Sequence, residues 1–209
     1  MASVSKKLLA YTLFFSSSSL LIAQQKETLF YKGGDRRAEG NSENGIKTGS
    51  WTYFFPDGNT SSLEEYKEGQ LHGQVRYFYE HGQLMATENW HHGLQQDSSL
   101  YYYPNGTLEK KGIFRDGLYE GKWIFYNENG TLKRYGTYRR GLPEGPWKFF
   151  DDHGQLLQEG NYAGGKEDGA WRFYDDLGEL EFFGSYRDGA KTGDWFRMTK
   201  KGKYKKLRH

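Results

Sequence analysis

The residues able to do chemistry are few, and they are spread along the chain. Six histidines occur, at His72, His81, His91, His92, His153 and His209. His91 and His92 are adjacent, which raises the question of a metal site. Consecutive residues of a strand point to opposite faces, so as strand residues the pair would not chelate one ion. They also sit just before Gly93, where a solvated turn is expected. Asp151-Asp152 and Asp175-Asp176 place carboxylates 24 residues apart. On neighbouring two-strand units these would stand roughly 10 Å apart, too far to share a calcium ion. No Ser/His/Asp grouping stands out. Cysteine is absent, which excludes disulfides, thiolate metal sites, cysteine nucleophiles and a lipid anchor on cysteine. The glycine-rich segments lack the strand–loop–helix setting of a phosphate loop. The expectation is a protein with no enzymatic activity, no cofactor and no metal.

The elements that would position these groups are set by a repeat. Glycines recur every 24 residues at Gly34, Gly58, Gly82, Gly106, Gly130, Gly154, Gly178 and Gly202. A second series runs from Gly45 to Gly189 and a third from Gly49 to Gly193, with Asp97 in the third's missing slot. A fourth is Gly40, Gly112, Gly136, Gly160 and Gly184, with Glu64 and Glu88 as exceptions. Aromatics keep the same phase. Trp51, Trp123, Trp147, Trp171 and Trp195 form one column, replaced by Val75 and Ser99 in two copies. Such a period marks a repeat architecture.

Within a unit, Trp147-Lys148-Phe149 alternates apolar and polar as a strand does. Pro56-Asp57-Gly58, Pro104-Asn105-Gly106 and Asn129-Gly130 supply hairpin turns. Twenty-four residues leave no room for a crossover helix, so neighbouring strands are antiparallel. The predicted fold is all-β, an elongated antiparallel stack of 24-residue β-hairpins. Symmetry about the turns sets Trp147 opposite Gly160, Trp123 opposite Gly136 and Trp171 opposite Gly184. A glycine beneath a tryptophan leaves the indole room to lie on the backbone. Trp51 faces Glu64 in this scheme and breaks the rule.

The units Gly121-Lys122-Trp123-Ile124-Phe125-Tyr126-Asn127-Glu128-Asn129-Gly130 and Tyr138-Arg139-Arg140-Gly141 resemble MORN repeats. They are most similar to the bacterial MORN-variant type often labelled the antitoxin component of a toxin–antitoxin module. The resemblance covers about residues 25–202. It implies a curved stack of hairpins that acts in interaction or scaffolding, in some members at membranes or phospholipids, with no shared catalytic residues.

Residues 1–23 read as a signal peptide. Lys6 and Lys7 precede an apolar run, and Ala23 precedes a polar sequence starting at Gln24. Residues 24–192 then form seven repeats, and 193–209 a partial eighth with a basic tail. The location implied is periplasmic or secreted, whereas an antitoxin against a cytosolic toxin would stay inside. Without Lys6 and Lys7 the chain carries 27 basic and 27 acidic residues. Six of the basic ones, Lys200, Lys201, Lys203, Lys205, Lys206 and Arg208, lie in the tail. An acidic body with a basic tail does not fit a nucleic-acid binder. The tail suits either an anionic envelope surface or a lysine-blunted sheet edge.

One further column separates the two ends of the chain. Phe55, Tyr79 and Tyr103 stand just before the hairpin turn, where later copies carry Asn127, Asp151 and Asp175. They form a candidate partner-binding strip, with flat apolar faces and polar tips at the tyrosines; the alternative is extra core packing. The leading functional expectation is an exported scaffold for an unidentified protein partner. An envelope glycan or anionic-lipid binder and an antitoxin-like inhibitor are the alternatives.

Overall fold

The computed structural model describes residues 24–199 and 202–207. The expected signal peptide and Lys200, Lys201 and Arg208 lie outside the described residues. Among the described residues there are 19 strands and no helix. They form one antiparallel sheet in which each hairpin pairs with the hairpins before and after it in sequence. The sheet is not closed. Its first strand, Gln25–Phe30, pairs only with Arg36–Glu43, and its last, Tyr204–Lys206, only with Ala190–Met198. The all-β hairpin stack read from the 24-residue period is therefore the fold.

Each unit turns twice, and the two turns differ. At one end a five-residue loop closes on a glycine: the Phe55 N–H donates to the Asn59 carbonyl at 2.7 Å and the Gly58 N–H to the Phe55 carbonyl at 2.9 Å. At the other end two residues suffice, and both have positive φ, as at His92 (48°) and Gly93 (75°) or Arg140 (50°) and Gly141 (81°). Positive φ at both positions is the type I′ turn, whose twist matches that of the flanking strands. Each of these turns also docks on the hairpin before it. The Gly93 N–H donates to the Leu71 carbonyl at 3.0 Å, Gly117 to Gln95 at 2.9 Å, and Gly141 to Tyr119 at 2.9 Å.

The register places Trp147 opposite Gly160, Trp123 opposite Gly136 and Trp171 opposite Gly184, as expected. The indoles nevertheless lie elsewhere. Each reaches back over the glycine eleven residues before it, in the second strand of the preceding hairpin. A Cβ on Gly136 would stand 2.1 Å from Trp147 Cδ2, and one on Gly112 2.2 Å from Trp123 Cδ2. In Trp51, Trp123, Trp147 and Trp171 the indole N–H then donates to the next carbonyl along that strand, as in Trp147 Nε1 to Thr137 O at 3.2 Å and Trp123 Nε1 to Ile113 O at 3.0 Å, whereas Trp195 Nε1 has no hydrogen-bond partner. The tryptophan is thus a staple between hairpins rather than a filler within one.

This corrects the reading of Trp51 as an exception. Trp51 covers Gly40, with a Cβ position 2.3 Å from its Cδ2, and donates to Asn41 O at 2.8 Å. The two glycine exceptions, Glu64 and Glu88, precede Val75 and Ser99 by the same eleven residues. Where the indole is missing, so is the need for glycine. Trp51, Trp123, Trp147, Trp171 and Trp195 are all at least 96% buried. From residue 114 onward the indoles alternate with edge-on rings, among them Phe114–Trp123 at 5.2 Å, Tyr138–Trp147 at 5.0 Å, Tyr162–Trp171 at 5.3 Å and Tyr186–Trp195 at 5.1 Å. Edge-to-face contacts of this kind add to burial.

Candidate interaction surface

The strip Phe55, Tyr79 and Tyr103 lies at the five-residue-loop end of the hairpins and is half-buried. Its polar tips are engaged inside the protein. Tyr79 Oη donates to the Tyr102 carbonyl at 2.8 Å and Tyr103 Oη to the Tyr126 carbonyl at 2.9 Å, each one hairpin further on. Tyr31 does the same with Phe54 O at 2.7 Å. Burial, followed by nearby carboxylates including Glu109 and Glu128, raises the pKa of both Tyr79 and Tyr103, so the hydroxyls remain donors. Of the polar replacements, Asn127 keeps this link by other means. Asn127 Nδ2 donates to the Asp151 carbonyl at 3.3 Å, while Asp151 closes its own loop by accepting from the N–H groups of His153 and Gln155.

The basic tail forms a short edge strand, with Lys205 opposite Arg197 and Lys206 opposite Phe196. Lys206 Nζ pairs with Asp194 at 2.5 Å, and Lys203 and Lys205 are exposed.

The opposite edge, made of the two-residue turns, carries a row that the sequence reading did not single out. Ile46, Leu94, Leu118 and Leu142 each follow a turn glycine and are 48–52% exposed. Each leans towards the turn glycine of the next hairpin, Leu142 Cδ2 to within 3.3 Å of a Cβ position on Gly165 and Leu118 Cδ2 to within 3.5 Å of one on Gly141. Leu94, Leu118 and Leu142 occupy three successive units, so two strand spacings of about 4.8 Å set them about 10 Å apart. Beside Leu118 opens a cleft of about 710 Å³, lined also by Arg115, Asp116, Glu120, Arg139 and Arg140. None of those three arginines forms an ion pair among the described residues. The available signal was the 24-residue phase of the leucines, which the stronger aromatic columns overshadowed.

These hairpins also match a family known from sequence. The sequence model of the MORN repeat variant family matches residues 47–68, 71–92, 98–116, 119–140 and 143–163, together half of the chain. The chain belongs to the MORN repeat variant family. MORN repeats are commonly protein or lipid interaction modules and are generally non-enzymatic. No curated protein matches this MORN chain. Among solved structures, a complex of accessory secretory proteins 1, 2 and 3 from Streptococcus pneumoniae is similar over 48% of this chain and 18% of that one, at 15% identity and TM-score 0.30. A GtfA/B complex bound to UDP and GlcNAc is similar over 75% of this chain and 28% of that one, at 12% identity and TM-score 0.22. A TcdB2-TccC3 structure is similar over 88% of this chain and 12% of that one, at 12% identity and TM-score 0.24. The MORN chain thus spans less than a third of each.

Two polar features interrupt the MORN pattern. Where Val75 and Ser99 replace the stapling tryptophan, carboxylates stand at the glycine positions eleven residues earlier. Glu88 is 8% exposed and accepts from Tyr101 Oη at 2.7 Å and Trp90 Nε1 at 3.0 Å. Glu64 accepts from Ser62 Oγ at 2.7 Å and Tyr66 Oη at 2.6 Å. Burial, then the hydrogen bond to Glu64, drives the Tyr66 hydroxyl well above its usual pKa. The second feature is the pair His91 and His92 at the expected turn. The two rings do not diverge: their centroids are 4.3 Å apart, because the left-handed backbone at His92 breaks strand alternation.

Proposed function

We propose that this MORN protein is an exported, non-enzymatic scaffold that holds a protein partner along the edge formed by its two-residue turns. The supporting observation is the row Leu94, Leu118 and Leu142, half-exposed and flanked by Arg115, Arg139 and Arg140. Apolar side chains aligned on a rigid sheet edge, next to arginines with no ion-pair partner, suit a protein segment that presents apolar residues beside carboxylates. Leucine buried against a partner supplies affinity, and guanidinium–carboxylate pairing supplies orientation. In this reading Tyr79 and Tyr103 link hairpins at the other edge. Export rests on Lys6, Lys7 and the apolar run ending at Ala23.

Capture from the envelope fraction of the source cell with residues 24–209 is expected to recover a protein. Leu118→Asp with Leu142→Asp should abolish that recovery while shifting stability by less than about 1 kcal/mol, as exposed substitutions do. The Phe55/Tyr79/Tyr103 triple alanine variant, if folded, should retain it. Retention only on glycan or anionic vesicles overturns the protein-scaffold reading. Loss with the triple alanine but not with the aspartates moves the contact to the aromatic strip.

A separate measurement addresses export. N-terminal sequencing of the native protein is expected to begin near Gln24. An intact Met1 in the cytosolic fraction removes the export part of the proposal and favours an antitoxin-like inhibitor.

A further inference from the structure

His72, His91 and His92 come together at one node of the turn edge. Their ring centroids are 5.0 Å apart for His72–His91, 5.5 Å for His72–His92 and 4.3 Å for His91–His92. One nitrogen from each lies within 4.8 Å of those of the other two. We propose that this node is a binding site for a borderline divalent transition-metal ion, of which Zn²⁺ is the probe, and that the ion clamps two successive hairpins together.

The backbone explains why three residues so spaced converge. His72 sits between the strands Gln70–Leu71 and Gly73–Phe78, opposite Glu65, whose carbonyl accepts its N–H at 2.8 Å. His91 ends the strand Leu84–His91, and His92 starts the two-residue turn. The bond from Gly93 N–H to Leu71 O lays that turn against the residue next to His72. Positions 72 and 92, twenty residues apart, therefore meet, and the same offset meets again along the edge. Gln96 Nε2 donates to Asp116 Oδ1 at 2.6 Å. Glu120 Oε2 accepts from the Arg140 N–H at 2.9 Å, and Glu144 Oε2 from the Gly164 N–H at 3.0 Å.

At those three nodes the turn and the preceding hairpin are joined by a donor and an acceptor. At the histidine node all three side chains are imidazoles. His72 Nδ1 is buried and has no hydrogen-bond partner. His91 and His92 are exposed and open to solvent. Neutral imidazoles are ligands for Zn²⁺, Cu²⁺ and Ni²⁺, and without side-chain oxygen ligands the set does not suit Ca²⁺ or Mg²⁺. Nitrogens bound to tetrahedral Zn²⁺ at about 2.0–2.1 Å stand about 3.4 Å apart. Rotation of the two exposed rings closes the remaining gap. Three protein ligands leave a coordination position facing solvent, which water fills.

A second cluster, Asp151, Asp152 and His153, lies within one loop. It differs in kind. Asp151 Oδ1 already accepts from two backbone N–H groups, and the His153 ring pairs with Asp152 at 2.9 Å. It serves as the control.

The test is a zinc titration of the purified full chain against a chromophoric chelator, with one ion bound per chain as the expected result. His72→Gln, His91→Arg and His92→Asn place at each position the residue found at the same position in another hairpin, Gln96, Arg115 and Asn44, so the fold is kept. Each should weaken binding about tenfold or more, since even outer-shell losses cost about 10–100-fold. His153→Ala should leave it unchanged. Imidazole proton resonances of His72, His91 and His92 should shift together up to one equivalent, and the melting temperature should rise with zinc in the wild type and in His153→Ala but not in the His72, His91 and His92 variants. Absence of saturable zinc binding in the wild type overturns the proposal. So does binding that survives His72→Gln with His92→Asn, or binding lost in His153→Ala.

Discussion

Gly136→Ala is expected to destabilise the protein by about 3 kcal/mol, at the upper end of what overpacking costs. The added methyl would stand 2.1 Å from Trp147 Cδ2 and 2.2 Å from its Cε2, against a ring that is 97% buried. The indole cannot yield without losing its bond to Thr137 O and its edge-on contact with Tyr138. Trp147→Ala should cost about 3–5 kcal/mol, the usual range for truncating a buried large aromatic. The informative measurement is the double variant in a denaturant melt. With the indole gone the methyl has room, so Gly136→Ala with Trp147→Ala should be no less stable than Trp147→Ala alone. The coupling then approaches 3 kcal/mol, near the limit seen for residues in contact. Additive losses would mean that Trp147 packs on Gly160, its partner across the hairpin, and not on Gly136. His153→Ala, in an exposed loop, should change stability by less than about 0.5 kcal/mol.

That variant pair marks where the sequence was legible and where it was not. The strand register follows from the turn positions, and the pairing of Trp147 with Gly160 was readable because a hairpin is symmetric about its turn. Where the indole goes was not readable from pairing, because a long side chain can cross to either neighbouring strand. The missing clue was present as an offset of eleven residues: Gly40, Gly112, Gly136, Gly160 and Gly184 all precede a tryptophan, and Glu64 and Glu88 do not. The histidine node was missed for a related reason. Alternation along a strand separates His91 from His92 only while the backbone stays extended, and φ of 48° at His92 ends that. His72 joins them through docking of a turn on the previous hairpin, a contact at 20 residues rather than at the 24 of the repeat. The turn-edge leucines had the right period but lay among far stronger aromatic columns. Columns tell which residues share a height, and contacts between columns need the turn geometry.

A large non-additive effect should come from the two hairpins where the tryptophan staple is absent. Ser99→Trp alone is expected to cost about 3 kcal/mol, because the indole would enter space held by Glu88. Ser99 is 1% exposed and its hydroxyl has no hydrogen-bond partner, so the site has neither spare room nor a polar contact worth keeping. Glu88→Gly alone should cost about 1–3 kcal/mol, since the Tyr101 hydroxyl and the Trp90 indole N–H would lose their acceptor. Together the two changes rebuild the glycine–tryptophan pair of the five regular hairpins. The new indole would lie on the backbone of residue 88 and donate to the carbonyl of Asn89, the position equivalent to Asn41, Ile113, Thr137 and Asn161. The double variant should therefore be more stable than either single variant, because the indole fills the space that Glu88→Gly opens. Denaturant melts of the four proteins decide the matter. If the double variant falls below the better of the two single variants, the eleven-residue offset does not determine where the tryptophan packs. If it rises as expected, the staple is transferable from hairpin to hairpin. The stack then behaves as a chain of nearly independent interfaces, each fixed by one glycine and one indole.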